Sequence, residues 1–221
     1  MKKRRFLTMA LLGGLIMIGL TGCGENKNSR EWIENKVSEV SRVYPTEDLF
    51  DLFKQFPEGF EIEQVYIKRG TYLIEITLQG DSSNQTISGV LTKTRASEDI
   101  TEKPEETIKV DYINGEFIFS DEKKAKELWP FDGFLFQKLT INQSFLSSLS
   151  MKSKSYNGNN GAFDIDYLVR NQTINQYFKK HENEQAILGF GSSYRNDDYY
   201  YYSVTVNYDS IYTFRETVSN Q

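Results

Sequence analysis

The chain is expected to fold as an α+β protein, antiparallel β-sheet meanders covered by short amphipathic helices. Three observations predict it. Tyr72, Ile74, Ile76 and Leu78 alternate with Leu73, Glu75, Thr77 and Gln79, the period of a sheet with one buried face. Strand-like segments follow one another through short turns, above all Asn114-Gly115, without the regular crossover helices of a parallel sheet. Finally, the 14 tyrosines and 15 phenylalanines are residues that suit strands.

The first segment is an address. Met1 to Arg5 reads MKKRR, a basic n-region, and Phe6 to Leu20 is almost wholly apolar. Such a run of about 15 residues has the length of a secretory h-region and falls short of the roughly 20 that span a bilayer. It ends in Leu20-Thr21-Gly22-Cys23, which resembles the bacterial lipobox, and Cys23 is the only cysteine. The resemblance implies that the thiol takes a diacylglyceryl group, that cleavage falls just before Cys23, and that N-acylation can follow. Two acyl chains anchor a protein stably where one holds it marginally. The chain is therefore expected at the cell membrane, lipid-anchored on its extracellular face. Residues 1–22 are expected as a removed signal peptide, 23–29 as a flexible tether, 30–212 as one domain, and 213–221 as a C-terminal tail.

Charge narrows the partners. The chain carries 26 basic and 31 acidic residues; losing Lys2, Lys3, Arg4 and Arg5 leaves 22 against 31, a net charge of −9. That balance speaks against nucleic acid, which calls for a clustered basic patch. It also leaves the lipid as the sole expected membrane contact. With one cysteine, no disulfide can form within the mature chain.

The elements follow in order. Ile33, Val37, Val40 and Tyr44 fall at helical spacing, and Pro45 stops that helix. Thr46 is the expected N-cap of the next, with Leu49, Leu52, Phe53 and Phe56 as its buried stripe and Pro57 and Gly59 ending it. Val65 and Ile67 mark a strand before the one at Tyr72. Gly80 to Asn84 turns into a strand over 85–95, and the charged stretch 96–106, with Pro104, reads as a loop. Ile108, Val110 and Tyr112 pair back through Asn114-Gly115 with Phe117 and Phe119. Ser120 is the expected cap of a short helix ending at Trp129-Pro130. The stretch 131–149 is apolar without a clear period, and Lys152 to Gly161 reads as a polar loop. Phe163 to Arg170 is a strand, and Asn171 caps a helix whose inner face is Ile174, Tyr177 and Phe178. Of the last strands, one places Tyr200, Tyr202, Val204, Val206 and Tyr208 on one face, with Tyr199, Tyr201, Ser203, Thr205 and Asn207 opposite.

Little in the sequence suggests catalysis. His181, the only histidine, is expected in the last turn of the helix that Asn171 caps, packing on Tyr177 or Phe178, and no local nucleophile accompanies it. A multi-histidine metal site is excluded by that count. Asp164 and Asp166 share one side of a strand; paired carboxylates can do acid–base work, but a solvated sheet face accounts for them. The glycines of GFGSSY, Gly189 to Tyr194, lack the third glycine and following helix of a phosphate loop and fit a flattened strand. The sequons at Asn84, Asn142 and Asn171 carry no meaning behind a bacterial lipoprotein signal. Tyr199 and Tyr201, expected outward, form the candidate interaction surface, since tyrosines are enriched at protein interfaces. No catalytic residue, metal or cofactor is expected; the covalent group is the lipid on Cys23.

The order of lipobox, VSEVSRVYPTEDLFDLF, β-meander, YLVRNQTINQYFKKH and AILGFGSS resembles the tandem-type lipoproteins of Gram-positive bacteria, the Csa or Lpl cell-surface family. Tyr44-Pro45, the acidic stretch Asp48 to Phe53, and Gly189 to Gly191 carry the resemblance, with Phe53 where a tyrosine is frequent. The family implies a non-enzymatic, outward-facing, lipid-anchored protein with roles in host or envelope contact and immune stimulation. The alternatives are a solute-binding lipoprotein of a transporter and, further off, a secreted hydrolase using Asp164 and Asp166. The family supplies no named partner beyond the membrane.

Overall fold

The alternating segments pair into one antiparallel sheet of ten strands in a computed structural model that describes residues 26–68, 72–95, 103–193, 199–208 and 212–221. The strands are β1 (Phe60–Lys68), β2 (Tyr72–Asp81), β3 (Thr86–Arg95), β4 (Glu106–Ile113), β5 (Glu116–Phe119), β6 (Ser150–Tyr156), β7 (Ala162–Val169), β8 (Ala186–Ser193), β9 (Tyr201–Asn207) and β10 (Tyr212–Asn220). Their spatial order is β5-β4-β3-β2-β1-β10-β9-β8-β7-β6. The chain builds outward from the centre to β5, crosses to the far edge, and returns inward, so that its first and last strands pair with Tyr66 opposite Phe214.

This overturns the expected tail at 213–221: β10 is a central strand. Phe214, Glu216 and Val218 all face the buried side, and the acidic residue in the middle of that alternation hides the strand in the sequence. The loop expected from Lys152 is also corrected in its first half, which is β6. An edge strand needs no apolar alternation. The lysines of SMKSKSY, and a register shift between Met151 and Ser153, are common protections of an open edge.

Five short helices, α1 (Arg30–Val37), α2 (Leu52–Gln55), α3 (Glu122–Leu128), α4 (Gln143–Ser148) and α5 (Gln172–Tyr177), join the strands' inner residues in one buried cluster. Ser29 caps α1, accepting from the Trp32 N–H at 3.1 Å. Ile33, Val37, Val40 and Tyr44 are buried as their spacing requires, α1 passing into a 3-10 turn over Ser38–Arg42. Two caps differ from expectation. Asp48, not Thr46, accepts from the Phe50 N–H at 3.0 Å, because the 3-10 turn that leads into α2 begins at Leu49 and puts Asp48 in the cap position. Asp121, not Ser120, caps α3 through the Lys124 N–H, the Ser120 hydroxyl being occupied by the Lys109 N–H. Asn171 caps α5 as expected, at 3.0 Å from the Ile174 nitrogen.

The β4–β5 turn has Asn114 at φ 53° and Gly115 at φ 84°, the left-handed pair that a two-residue hairpin needs. Gly80 lies opposite Phe60, and a Cβ there would stand 2.4 Å from the ring. The outward alternation of Thr77, Thr92, Ser203, Thr205 and Glu63 leaves those side chains partly exposed, so the sheet has one apolar and one polar face.

Candidate functional site

The densest polar arrangement lies at the centre of the buried face. Glu216 of β10 is fully buried and receives four donors: the Tyr44 hydroxyl at 2.6 Å on Oε1 and the Phe136 N–H at 2.8 Å on the same oxygen, with Gln64 Nε2 and the Leu135 N–H, both at 2.8 Å, on Oε2. Gln64, opposite it on β1, accepts from Trp129 Nε1 at 2.6 Å and donates to the Tyr177 hydroxyl at 2.8 Å. That hydroxyl donates to the Gly133 carbonyl at 2.9 Å. Burial pushes the Glu216 carboxyl above its ordinary range, and the four donors pull the other way. The Tyr44 phenol is held well above its ordinary value, first by burial and then by the Glu216 charge. Both carboxylate oxygens are saturated and sealed from water, so this group ties elements together; it has no position left for a substrate. Sequence reasoning missed it, although an acidic residue at the midpoint of the alternation Phe214, Glu216, Val218 is the signal that could have found it.

A second buried carboxylate, Glu34 of α1, accepts from the Tyr167 hydroxyl at 2.9 Å and Arg30 Nε at 2.8 Å. Arg30 also reaches the Leu149 carbonyl at 3.1 Å, fixing α1 to β7 and to the end of α4. Burial raises the Tyr167 phenol, with Glu34 adding to it.

The residues singled out from sequence are dispersed. Leu20, Thr21, Gly22 and Cys23 lie outside the described residues. Tyr199 and Tyr201 come together, their rings stacked at 6.2 Å and 7°, but each is half-buried rather than fully outward. Beneath them Tyr200 is buried, with the Arg42 guanidinium 5.1 Å from its ring, and Tyr202 donates to the Lys36 carbonyl at 2.9 Å. Burial pushes Tyr202 up to about 12.

Asp164 and Asp166 sit on the polar face and accept from the Ser155 and Ser153 hydroxyls, a cross-strand arrangement in which each carboxylate has its own partner. His181 is corrected: α5 ends at Tyr177, and the imidazole lies beyond it in an exposed turn, where Nδ1 accepts from the Asn183 N–H at 3.3 Å. Gly189 and Gly191 belong to β8; a Cβ on Gly189 would fall 2.4 Å from Thr205 Oγ1 and 2.6 Å from Asp166 Oδ1.

The buried face of the sheet is filled by Phe60, Phe134, Phe136, Tyr167, Phe190 and Phe214, all fully buried. Two open clefts of about 790 and 480 Å³ lie on either side of the segment 130–133, with Glu47, Phe131, Asp132, Gln137 and Lys138 lining both. Phe131 is stacked on Tyr177 at 5.0 Å, and Lys138 pairs with Asp132 at 3.6 Å. Among the described residues no group of three or more His, Cys, Asp or Glu could hold a metal ion, and no helix is long and apolar enough to cross a membrane.

No family model and no curated protein matches the chain. Among solved structures it is similar to the lipoprotein LppX of Mycobacterium tuberculosis, with a TM-score of 0.40 and 8% identity over 86% of this chain and 94% of that one. The likeness reaches no individual residue.

Proposed function

We propose that the chain is a non-enzymatic bacterial surface lipoprotein of the tandem type, held by a diacylglyceryl group on Cys23 at the outer face of the cell membrane. The observation that carries the reading is the ordered series of basic n-region, apolar h-region, Leu20-Thr21-Gly22 and the sole cysteine. In support, the folded body begins at once after it, with Ser29 already capping α1. The lipid gives a handle for innate immune stimulation, and the domain contacts a protein or envelope component. The stacked Tyr199 and Tyr201, at the margin of the polar sheet face, are the surface proposed for that contact. A transporter's solute-binding subunit would call for a deep enclosed cleft, whereas aromatic side chains pack the buried face of the sheet.

Two experiments test the reading. Cys23→Ala is expected to release the protein from membrane to medium; undiminished membrane retention would exclude lipid anchoring. Crosslinking on intact cells is expected to capture a partner that Tyr199→Ser with Tyr201→Ser loses while thermal stability holds. Unchanged capture would remove that surface from the contact.

A further inference from the structure

We propose that the edge formed by β6 and the start of α1 rests on the same bilayer that holds the anchor, its lysines among anionic headgroups. The inference rests on the reading of Cys23 as lipidated. Five residues of chain lead from Cys23 to Asn28, and a peptide of that length extends at most about 18 Å. Asn28 is already fixed to the body: Lys154 of β6 donates to its main-chain oxygen, with the Asn28 side-chain oxygen at 3.4 Å from the same ammonium. The leash thus ends before the helix begins, and this edge is the surface that it holds near the membrane.

The charge of the edge runs against the composition of the chain. Residues 26–37 and 150–156 hold five basic side chains, on Lys27, Arg30, Lys36, Lys152 and Lys154, against Glu31 and Glu34. Of the two acids, Glu34 is buried in its pairing with Arg30. Met151 beside them is 37% exposed, an apolar side chain available to the interface. The nearby carboxylates of Asp164 and Asp166 lie on the polar face, engaged by Ser155 and Ser153, which favours a tilt that turns that face from the membrane. Basic side chains near an anionic leaflet are attracted within about a Debye length, roughly 10 Å. Net charge alone predicts no contact beyond the lipid; it averages the whole surface, whereas the tether selects one edge.

The test couples the mature chain, through the Cys23 thiol, to a maleimide lipid in vesicles. One set is phosphatidylcholine; in the other, phosphatidylglycerol makes up roughly a third. The amides of β6 are expected to exchange about tenfold more slowly on the anionic vesicles at low salt, with the difference lost at high salt. Lys27→Glu with Lys152→Glu, which spares the Lys154–Asn28 contact, is expected to abolish the slowing. Equal exchange on both vesicles overturns the proposal. Protection that grows with protein density on phosphatidylcholine also overturns it, assigning the edge to a second copy of this chain. Because thiol coupling imposes the tether, either failure leaves lipidation standing; lipidation itself falls only if Cys23→Ala stays on the membrane of cells.

Discussion

Glu216 shows how one side chain can hold distant segments of a chain. Its donors come from the end of the first helical segment (Tyr44), from β1 (Gln64), and from the crossover between the two edges (Leu135 and Phe136). Backbone N–H groups cannot turn to accept, so an amide at this position must leave a donor unanswered. In Glu216→Gln the better orientation sets the amide nitrogen against Tyr44, whose hydroxyl can rotate to accept, and against the Phe136 N–H, which cannot. Leaving that buried group without an acceptor is expected to cost about 1–3 kcal/mol in urea unfolding at neutral pH. Glu216→Ala, which leaves all four donors without this acceptor and opens a cavity, is expected to cost more, about 3–5 kcal/mol. The pH dependence follows from the raised carboxyl. The native state keeps its proton to higher pH than the unfolded chain does, so the stability tied to this group is complete below the unfolded value of about 4.3 and declines as pH rises through the folded one. Glutamine does not titrate. The urea-midpoint gap between the wild type and Glu216→Gln is therefore expected to be widest below that value and to narrow toward neutrality; a gap that widens with pH would show a lowered carboxyl.

At the level of elements, β10 makes the sharpest claim. It pairs with β1 on one side and β9 on the other, so it joins the two five-stranded halves. A chain ending at residue 211 is expected to lose its cooperative melting transition in circular dichroism and to elute as an aggregate, because the unpaired edges of β1 and β9 would be long and flat. A tail, by contrast, could be removed with no change in midpoint. The contrast also explains which elements the sequence made legible. The β4–β5 hairpin and the Tyr72 strand were readable because their turn chemistry and alternation arise locally. The strands β6 and β10 were not: the first is polar because an edge needs no buried face, and the second interrupts its apolar face with Glu216, whose partners come from residues 44, 64, 135 and 136. The cap at Asp121 escaped for a similar reason, since the Ser120 hydroxyl is engaged by Lys109 of β4. Tyr201 begins β9 and Tyr199 lies just before it, and their stacking depends on rotamers that alternation does not specify.

Across the whole molecule, the topology binds the halves more closely than a two-part sequence would suggest. A helical segment followed by antiparallel strands occurs twice, the second set of strands interrupted by α5, which could describe two small domains. Yet α1, which precedes the first set of strands, packs with the second: Trp32 meets Tyr156 of β6 at 5.4 Å and Phe163 of β7 at 5.7 Å, and Glu34 receives Tyr167 of β7. The second tryptophan serves the other side. Trp129 packs on Phe117 of β5 at 5.2 Å and on Phe119 at 6.0 Å while donating to Gln64 of β1. The two natural tryptophans thus report on opposite halves of the sheet. Trp129→Phe leaves a probe near β6 and β7; Trp32→Phe leaves one near β5. If the swapped helix and the central β1–β10 pairing make one cooperative unit, each variant's fluorescence transition in urea should coincide with its own circular-dichroism transition. Each variant is its own control, so the stability that the substitution removes does not enter the comparison. A fluorescence midpoint that departs from the dichroism midpoint in either variant would show that one half opens while the other persists, and the chain would then be two domains sharing a sheet.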